Sequence, residues 1–148
     1  MLRTLQPKTM QDISLHIFDI VENSVNAEAT RVEIRIVEDK PSDLLTVEIR
    51  DNGQGMNEET LQRAFDPFYS SKPGKRIGLG IPLLAQAARE GGGSFAIEST
   101  PEGGTSIVAT FKYSHPDRKP LGDVEGTVRM LRLTHPEMSF DYEYVTKG

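Results

Sequence analysis

The chain has 148 residues, of which 36% are hydrophobic, and its formal net charge is −5 at pH 7. This length and composition predict a globular domain with a hydrophobic core. The acidic balance argues against direct nucleic-acid binding, because displacing counterions from phosphates requires a basic face. The chain contains no cysteine, which excludes disulfides and thiolate metal sites. It also has no long apolar run, so we expect a cytoplasmic protein that does not bind membranes.

The first periodic segment, from about Thr9 to Ala27, has the spacing of an amphipathic helix. Its stripe comprises Ile13, Ile17, Ile20, Ser24 and Ala27. His16, Asp19 and Asn23 lie beside this stripe on a helical wheel and therefore border the predicted core. The amide oxygen of Asn23 is a suitable Mg²⁺ ligand, and Asp19 could orient or deprotonate a water molecule. The alternative is that these are partly solvated helix residues with local hydrogen bonds.

Two strands are predicted next, at residues 31–38 and 44–49, and the turn at 41–43 makes them an antiparallel hairpin. Continuing the period of two places Asp51 on the apolar side of the second strand. A carboxylate facing a hydrophobic layer is costly unless a donor pairs with it. Glycines follow in the segment Asp51–Met56 and allow close approach of a ligand. The pattern indicates recognition of a buried donor, such as the amino group of adenine.

The elements that follow complete a helix-first α/β pattern. In chain order they are a short helix (57–64), a mobile loop (65–77), a helix (79–90) and two hairpin strands (94–99 and 105–113). Pro82 fits the helix only in its first turn, and Gly91–Gly93 should end it.

Beyond Tyr113 the pattern predicts a further helix and an edge strand. The helix carries Val124, Val128, Leu131 and Leu133, and the strand carries Phe140, Tyr142 and Tyr144. We therefore expect an ATP-binding domain at residues 1–113 and an extension at 114–148 that packs on the same domain. This extension either completes the core or forms a partner or dimer surface.

Five segments resemble, in the same order, the motifs of the GHKL superfamily, which comprises gyrase, Hsp90, histidine kinases and MutL. They are Asp19–Ala27 with 29–34 (N-box), Asp51–Met56 (G1 box), Phe65–Pro73 (F-box), Gly78–Ile81 (G2 box) and Gly103–Thr105. The N-box is closest to MutL, whereas the F-box and G2 box resemble sensor histidine kinases. The resemblance implies a Bergerat fold, an α/β (α+β) two-layer sandwich with helices on one face of a mixed sheet.

The resemblance also implies that the chain binds ATP and Mg²⁺. It assigns Mg²⁺ to Asn23, the adenine amino group to Asp51, and a further adenine contact to Thr105. It implies that Gly53 and Gly55 let the base approach closely. The remaining residues of the implied ATP site are Asn26, Met56, Phe65 and Lys72.

A phosphate site is implied at the backbone N–H groups of Gly78, Leu79 and Gly80. This role has a physical basis, because free amides and the macrodipole favour anions at a helix N-terminus. Lys75 and Arg76 lie just before this site and could add local positive charge.

The implied catalytic residue, Asp19, departs from the family pattern. Hydrolytic members usually have Glu four residues before the magnesium Asn, and sensor kinases commonly have Asn. An acidic residue favours hydrolysis or Ser/Thr phosphorylation over histidine autophosphorylation, although its shorter reach is compatible with weak or absent ATPase activity.

A histidine kinase also needs a phosphoacceptor His on a dimerising helical hairpin. The N-box begins at Asp19, which leaves no room for such a hairpin in this sequence. His115 and His135 precede proline, and His16 lies on the predicted ATP-site helix. We therefore expect structural roles for all three His and an acceptor on another protein.

Three functions remain open. The first is an ATP·Mg²⁺-binding, histidine kinase-like protein that acts on, or signals to, a separate partner. The second is an ATP-hydrolysing clamp of the MutL or gyrase type, in which nucleotide drives homodimerisation. The third is a non-catalytic sensor of ATP or ADP, or an anti-sigma-like binder.

Overall fold

The computed structural model describes residues 12–65 and 80–148, and the predicted order of helices and strands is confirmed there. The elements are α1 (Ile13–Asn26), β1 (Arg31–Asp39), β2 (Leu44–Asp51), α2 (Glu58–Ala64), α3 (Gly80–Glu90), β3 (Phe95–Ser99), β4 (Thr105–Lys112), α4 (Val124–Thr134) and β5 (Ser139–Lys147). Apart from Phe65, the predicted loop at 65–77 lies outside the described residues.

The strands form one mixed sheet in the order β3-β4-β2-β1-β5. Strand β5 runs parallel to β1, and the other neighbouring strands are antiparallel. The register places Asp51, the last residue of β2, between Val32 of β1 and Thr105 of β4. Consequently three segments that are far apart in the sequence meet at one end of the sheet.

The helices cover one face of this sheet, as predicted. Alternate residues of β2, namely Leu45, Val47 and Ile49, are at most 1% exposed and belong to one hydrophobic cluster with residues of α1, α3 and α4. The opposite face carries charged side chains, among them the ion pair of Arg31 with Asp141. One apolar and one solvated face account for the period-two pattern of the strands.

The first helix begins at Ile13, so the predicted start near Thr9 is wrong. Asp12 has an extended backbone (φ −70°, ψ 167°) and its side chain accepts a hydrogen bond from the Leu15 N–H, as an N-cap does. The N–H groups of Ile13 and Ser14 donate to the carbonyls of residues 120 and 121, both at 2.9 Å. Helix α1 therefore begins at the Asp12 cap, and residues 9–11 of the predicted helix lie outside the described residues.

Helix α3 ends as its glycines predict. Gly92 has φ +80°, and the Gly93 N–H donates to the Ala88 carbonyl at 2.8 Å. These features are typical of a left-handed helix C-terminus, which glycine adopts without steric cost. Pro82 lies within the first turn, where its missing N–H breaks no helical hydrogen bond.

Residues 114–148 supply both α4 and the edge strand β5, as the pattern predicted. Val124, Val128 and Leu131 are buried, whereas Leu133 is 75% exposed and does not belong to the apolar stripe. A separation of two residues rotates Leu133 to the far side of the helix from Leu131. The functional division at residue 113 stays a prediction. In the described part of the chain, the helices are too short or too polar to cross a bilayer.

Candidate functional site

A cavity of about 210 Å³ opens between α1 and the ends of β2 and β4. Six residues predicted for the ATP site line it, namely Asn23, Asn26, Asp51, Gly55, Met56 and Thr105. Its apolar walls include Ile20, Ile49, Ile81 and Ile107. Drug-sized ligands usually occupy pockets of about 300–1,000 Å³, so this volume suits a heterocyclic base better than a complete nucleotide.

Asp51 is partly buried in this cavity and is held by two donors. Its Oδ2 accepts from the Ser24 hydroxyl at 2.7 Å, and its Oδ1 accepts from the Gly53 N–H at 2.8 Å. An ionised carboxylate offers about four acceptor positions. Two positions therefore remain for a ligand donor after the carboxylate has been oriented.

Ser24 is a site residue that sequence reasoning missed, because it was grouped with the apolar stripe of α1. It is 3% exposed and points from the helix to the end of β2. The sequence did contain a signal for this role, because Ser24 is a hydroxyl-bearing residue in an otherwise apolar stripe. A buried hydroxyl requires a hydrogen-bond partner. Asn23, the preceding residue of α1, lines the same cavity as Ser24 and Asp51.

Side-chain hydrogen bonds anchor the loop after β2 at both ends. The Asn52 side-chain oxygen accepts from the N–H groups of Thr30 and Arg31, each at 2.9 Å. The Ser99 hydroxyl accepts from the Met56 N–H at 2.8 Å and contacts the Thr105 hydroxyl at 2.9 Å. Ser99 was also missed, and it ties this loop to the start of β4.

The two loop glycines are required by protein packing. A Cβ at Gly53 would lie 2.8 Å from the Ala27 carbonyl oxygen, and one at Gly55 would overlap the Thr100 carbonyl. Gly55 also has φ +70°. Protein packing alone therefore explains why glycine is needed at both positions, and close approach of a ligand is not required for this explanation. Gly55 also lines the cavity.

We expect Gly55→Ala to lower the free energy of unfolding by at least about 1–2 kcal/mol, the cost of a left-handed backbone for a residue with a Cβ. The overlap with Thr100 adds to this cost. Thermal unfolding without nucleotide measures the effect. The control is Gly148→Ala, where an added Cβ has its nearest neighbour at 3.7 Å. Equal melting temperatures for the two variants would contradict this packing role.

Asp19 lies one turn before Asn23 on α1 and is close to the first residue of α3. A Cβ at Gly80 would lie 3.0 Å from the Asp19 Cβ, so the two helices touch at this point. Burial raises the pKa of the Asp19 carboxyl above its ordinary value of 3.8, and the nearby charge of Glu22 raises it further. A carboxylate with a raised pKa is a stronger base.

Other predicted site residues are not brought to the cavity by the described structure. Phe65 packs edge-on against Phe95 with ring centroids 5.7 Å apart, outside the cavity lining. Gly53 is buried beside Asp51, also outside that lining. Lys72, Gly78 and Leu79 lie outside the described residues, as do Lys75 and Arg76.

In the described structure, His16 is buried, and the rings of His115 and His135 each contact a polar group of the protein. His16 is 4% exposed, and burial, followed by the positive charge of Lys119, lowers its pKa. The His115 Nδ1 accepts from the Asp117 N–H at 3.0 Å, and the His135 Nε2 lies 3.3 Å from a carboxylate oxygen of Glu22.

The residues around Asn23 are better suited to bind an Mg²⁺ ion that is also coordinated by nucleotide phosphates than to form a metal site made only of protein side chains. Within residues 12–65 and 80–148, no three His, Cys, Asp or Glu side chains cluster closely enough to hold a metal. Mg²⁺ is commonly bound through one or two protein oxygens, with phosphates and water completing the octahedron. The Asn23 amide oxygen can supply one such ligand.

Residues 11–115 match the family described as histidine kinase-, DNA gyrase B- and HSP90-like ATPases. A putative sensor protein of Shewanella frigidimarina is 28% identical over 72% of this chain and 17% of its own length. The sensor protein ChvG of Agrobacterium fabrum is 33% identical over 55% of this chain and 15% of its own length. The chain thus spans less than a fifth of these relatives.

Two solved structures share the fold. The Aquifex aeolicus MutL ATPase domain complexed with ADP has a TM-score of 0.52 and 20% identity, covering 86% of this chain and 57% of that chain. The N-terminal domain of a DNA repair protein has a TM-score of 0.64 and 14% identity, covering 95% and 53%. These similarities confirm the predicted α/β Bergerat fold. Because the family match covers well over half of the sequence, this chain belongs to the histidine kinase-, DNA gyrase B- and HSP90-like ATPases.

Proposed function

We propose that the chain binds ATP with Mg²⁺ and acts on, or signals to, a separate partner protein. The observation that carries this proposal is the partly buried Asp51 carboxylate, oriented by Ser24 and Gly53 and still able to accept from a ligand. The adenine amino group is a donor of the right kind. Thr105 lies beside Asp51 in the sheet register and can contact the same edge of the base.

The shape of the cavity suggests how the rest of the nucleotide would lie. The base fills the apolar space between Ile49, Ile81 and Ile107, and the sugar and phosphates extend outside it. Asn23 would hold Mg²⁺, which would neutralise phosphate charge when bound. The first residue of α3, Gly80, packs on α1 at Asp19, so the helix N-terminus lies on the same side as Asn23.

The separate partner is supported by the kind of protein to which this chain is similar. The relatives named above are described as a putative sensor protein and a sensor protein. In this chain, His16 is buried away from solvent on α1, so it is a poor phosphoacceptor. An acceptor on another protein accounts for both observations.

Hydrolysis is the second candidate, and Asp19 favours it. Its raised pKa and its position one turn from Asn23 suit a general base for an attacking water molecule. An enzyme of this kind would be an ATP-utilising phosphotransferase or a weak ATPase.

Calorimetric titration with ATP, ADP and GTP, with and without Mg²⁺, tests the binding part of the proposal. We expect adenine-selective binding that Mg²⁺ strengthens for ATP. In Asn23→Ala, Mg²⁺-dependent affinity should fall at least about tenfold, since even outer-shell partners of metals contribute 10–100-fold. Without Mg²⁺, wild type and variant should bind ATP similarly, which provides the internal control. Equal affinity for GTP and ATP would contradict the proposed base contact.

Incubation with γ-labelled ATP tests phosphate transfer to a partner. The chain alone should retain little label, and a co-expressed acceptor protein should become labelled in its presence. Tight ATP binding with neither transfer nor turnover would instead support the sensor alternative.

A further inference from the structure

Strand β5 leaves one main-chain edge open. In the described part of the chain its only strand partner is β1. The Ser139 N–H donates to the Thr30 carbonyl at 2.9 Å, and the Lys147 carbonyl accepts from the Lys40 N–H at 3.0 Å. Because the main-chain groups of successive strand residues point to opposite edges, odd-numbered residues of β5 bond to β1. Even-numbered residues therefore present their N–H and C=O groups outward.

Only the beginning of this outer edge is closed by the described structure. The Phe140 carbonyl accepts from the Arg132 guanidinium at 2.9 Å. No described residue bonds the outward main-chain groups of Tyr142, Tyr144 and Thr146. The strand runs in unbroken register along β1 from Ser139 to Lys147 and contains neither proline nor glycine. A long and regular open edge is a template for another strand.

We propose that β5 pairs antiparallel with β5 of a second copy of this chain, about a two-fold axis at Tyr144. Such an interface is self-complementary, because each strand offers the same edge to the other. At this register Tyr144 pairs with the second copy's Tyr144, and Tyr142 pairs with the second copy's Thr146. These are the residues whose main-chain groups face outward, so they form the hydrogen-bonded pairs of the ladder.

The charges on β5 disfavour the axes at Glu143 and Tyr142, whereas the registers centred on Tyr144 and Val145 each place opposite charges together. With the axis at Tyr144, Asp141 lies opposite the second copy's Lys147. With the axis at Glu143, that carboxylate faces its own counterpart, and with the axis at Tyr142, Asp141 faces Glu143. Like charges directly opposite each other destabilise an antiparallel pair, whereas opposite charges stabilise it.

The exposure of Tyr144 and the position of the end of β5 also favour an axis at Tyr144. This ring is 44% exposed, and the two-fold axis brings it against its counterpart. Moving the axis to Val145 would place Tyr142 opposite Gly148, beyond the end of the described strand. The interface is separated from the nucleotide cavity by β1, so this proposal does not rest on the proposed function.

A cysteine pair tests the register, because the natural chain contains no cysteine. We expect Tyr144→Cys to form a covalent dimer on mild oxidation, since directly opposed residues have Cα atoms about 5.5 Å apart, within disulfide range. Thr146→Cys is the control, on the same face and edge. Its two copies would lie four residues apart along the strands, about 14 Å at about 3.4 Å per residue, and should not cross-link. Equal cross-linking of both variants would overturn the register.

Sedimentation over a concentration series tests the dimer itself. Wild type should associate reversibly, and Thr146→Pro should raise the dimer dissociation constant on the order of tenfold by removing an outward N–H. Thr146→Val keeps that N–H and should behave as wild type, while Lys147→Glu should weaken association through its position opposite Asp141. A wild-type chain that stays monomeric up to its solubility limit would overturn the proposal. ATP titration of Thr146→Pro should match wild type and so separates this test from that of the nucleotide site.

Discussion

Replacing Asp51 with alanine should lower ATP affinity by about one to two orders of magnitude, because a hydrogen bond to a charged group contributes about 1.5–3 kcal/mol. The variant removes the proposed adenine acceptor and also leaves the Ser24 hydroxyl and the Gly53 N–H without their shared partner. Calorimetric titration with ATP measures the loss. Asp51→Asn is the conservative second variant, because it keeps the shape of the side chain but has fewer acceptor positions.

A matched control comes from the same strand. Glu48 lies on the opposite face of β2, where it forms ion pairs with Arg35 and Arg50. Glu48→Ala also removes one negative charge but should leave ATP affinity within twofold or so of wild type, since surface ion pairs contribute little. Unchanged ATP binding in a folded Asp51→Ala protein would place the base elsewhere.

Asp19→Asn should reduce ATP turnover or phosphate transfer by about 10²–10⁴-fold, the usual contribution of a general base. Nucleotide affinity should change little, because Asp19 does not line the cavity. Single-turnover kinetics with labelled ATP measures the chemical step, and calorimetry measures binding. A variant that turns over ATP as fast as wild type would exclude Asp19 as the base.

The pH profile gives an independent test of the same residue. A general base must be ionised, so the rate should fall as the pH drops through the raised pKa of Asp19, above the range of an ordinary aspartate. Glu22→Gln is the matched control. It keeps the base but removes a like charge that raises the pKa of Asp19, so the acid limb should move to lower pH. An acid limb that does not move would contradict this coupling.

The raised pKa of Asp19 also affects the free energy of unfolding. The folded protein holds the Asp19 proton more tightly than the unfolded chain does, because burial and Glu22 raise its pKa. Ionisation of Asp19 therefore opposes folding once the pH exceeds the pKa of the unfolded chain, and this cost is absent at lower pH. Asp19→Asn should consequently melt at the same or a higher temperature than wild type at neutral pH, even though it loses activity.

Much of the fold could be predicted from local patterns. The alternation of Leu45, Val47 and Ile49 correctly predicted the buried face of β2 and the direction of Asp51, because the side-chain period of a strand is two. The glycines at 91–93 correctly ended α3, since few other residues tolerate positive φ. The five ordered motifs identified the family, although the roles of individual site residues stay predictions.

Helix boundaries and polar partners were harder to predict. Periodicity extended α1 to about Thr9, but the cap at Asp12 depends on local backbone geometry and on contacts with residues 120 and 121. Ser24 and Ser99 have no sequence motif of their own, and their importance follows from the groups they meet across the structure. Such pairings join residues far apart in the chain, which a local pattern does not encode.

The amino-acid sequence by itself determined the order of helices and strands, the buried faces of α1 and β2, and the family, because these depend on short-range periodicity and on motifs read in order. Only the tertiary structure decided which donors orient Asp51, why Gly53 and Gly55 are needed, and which edge of β5 stays open. These features depend on strand register and helix packing, which bring together α1, β2 and β4 from distant parts of the chain.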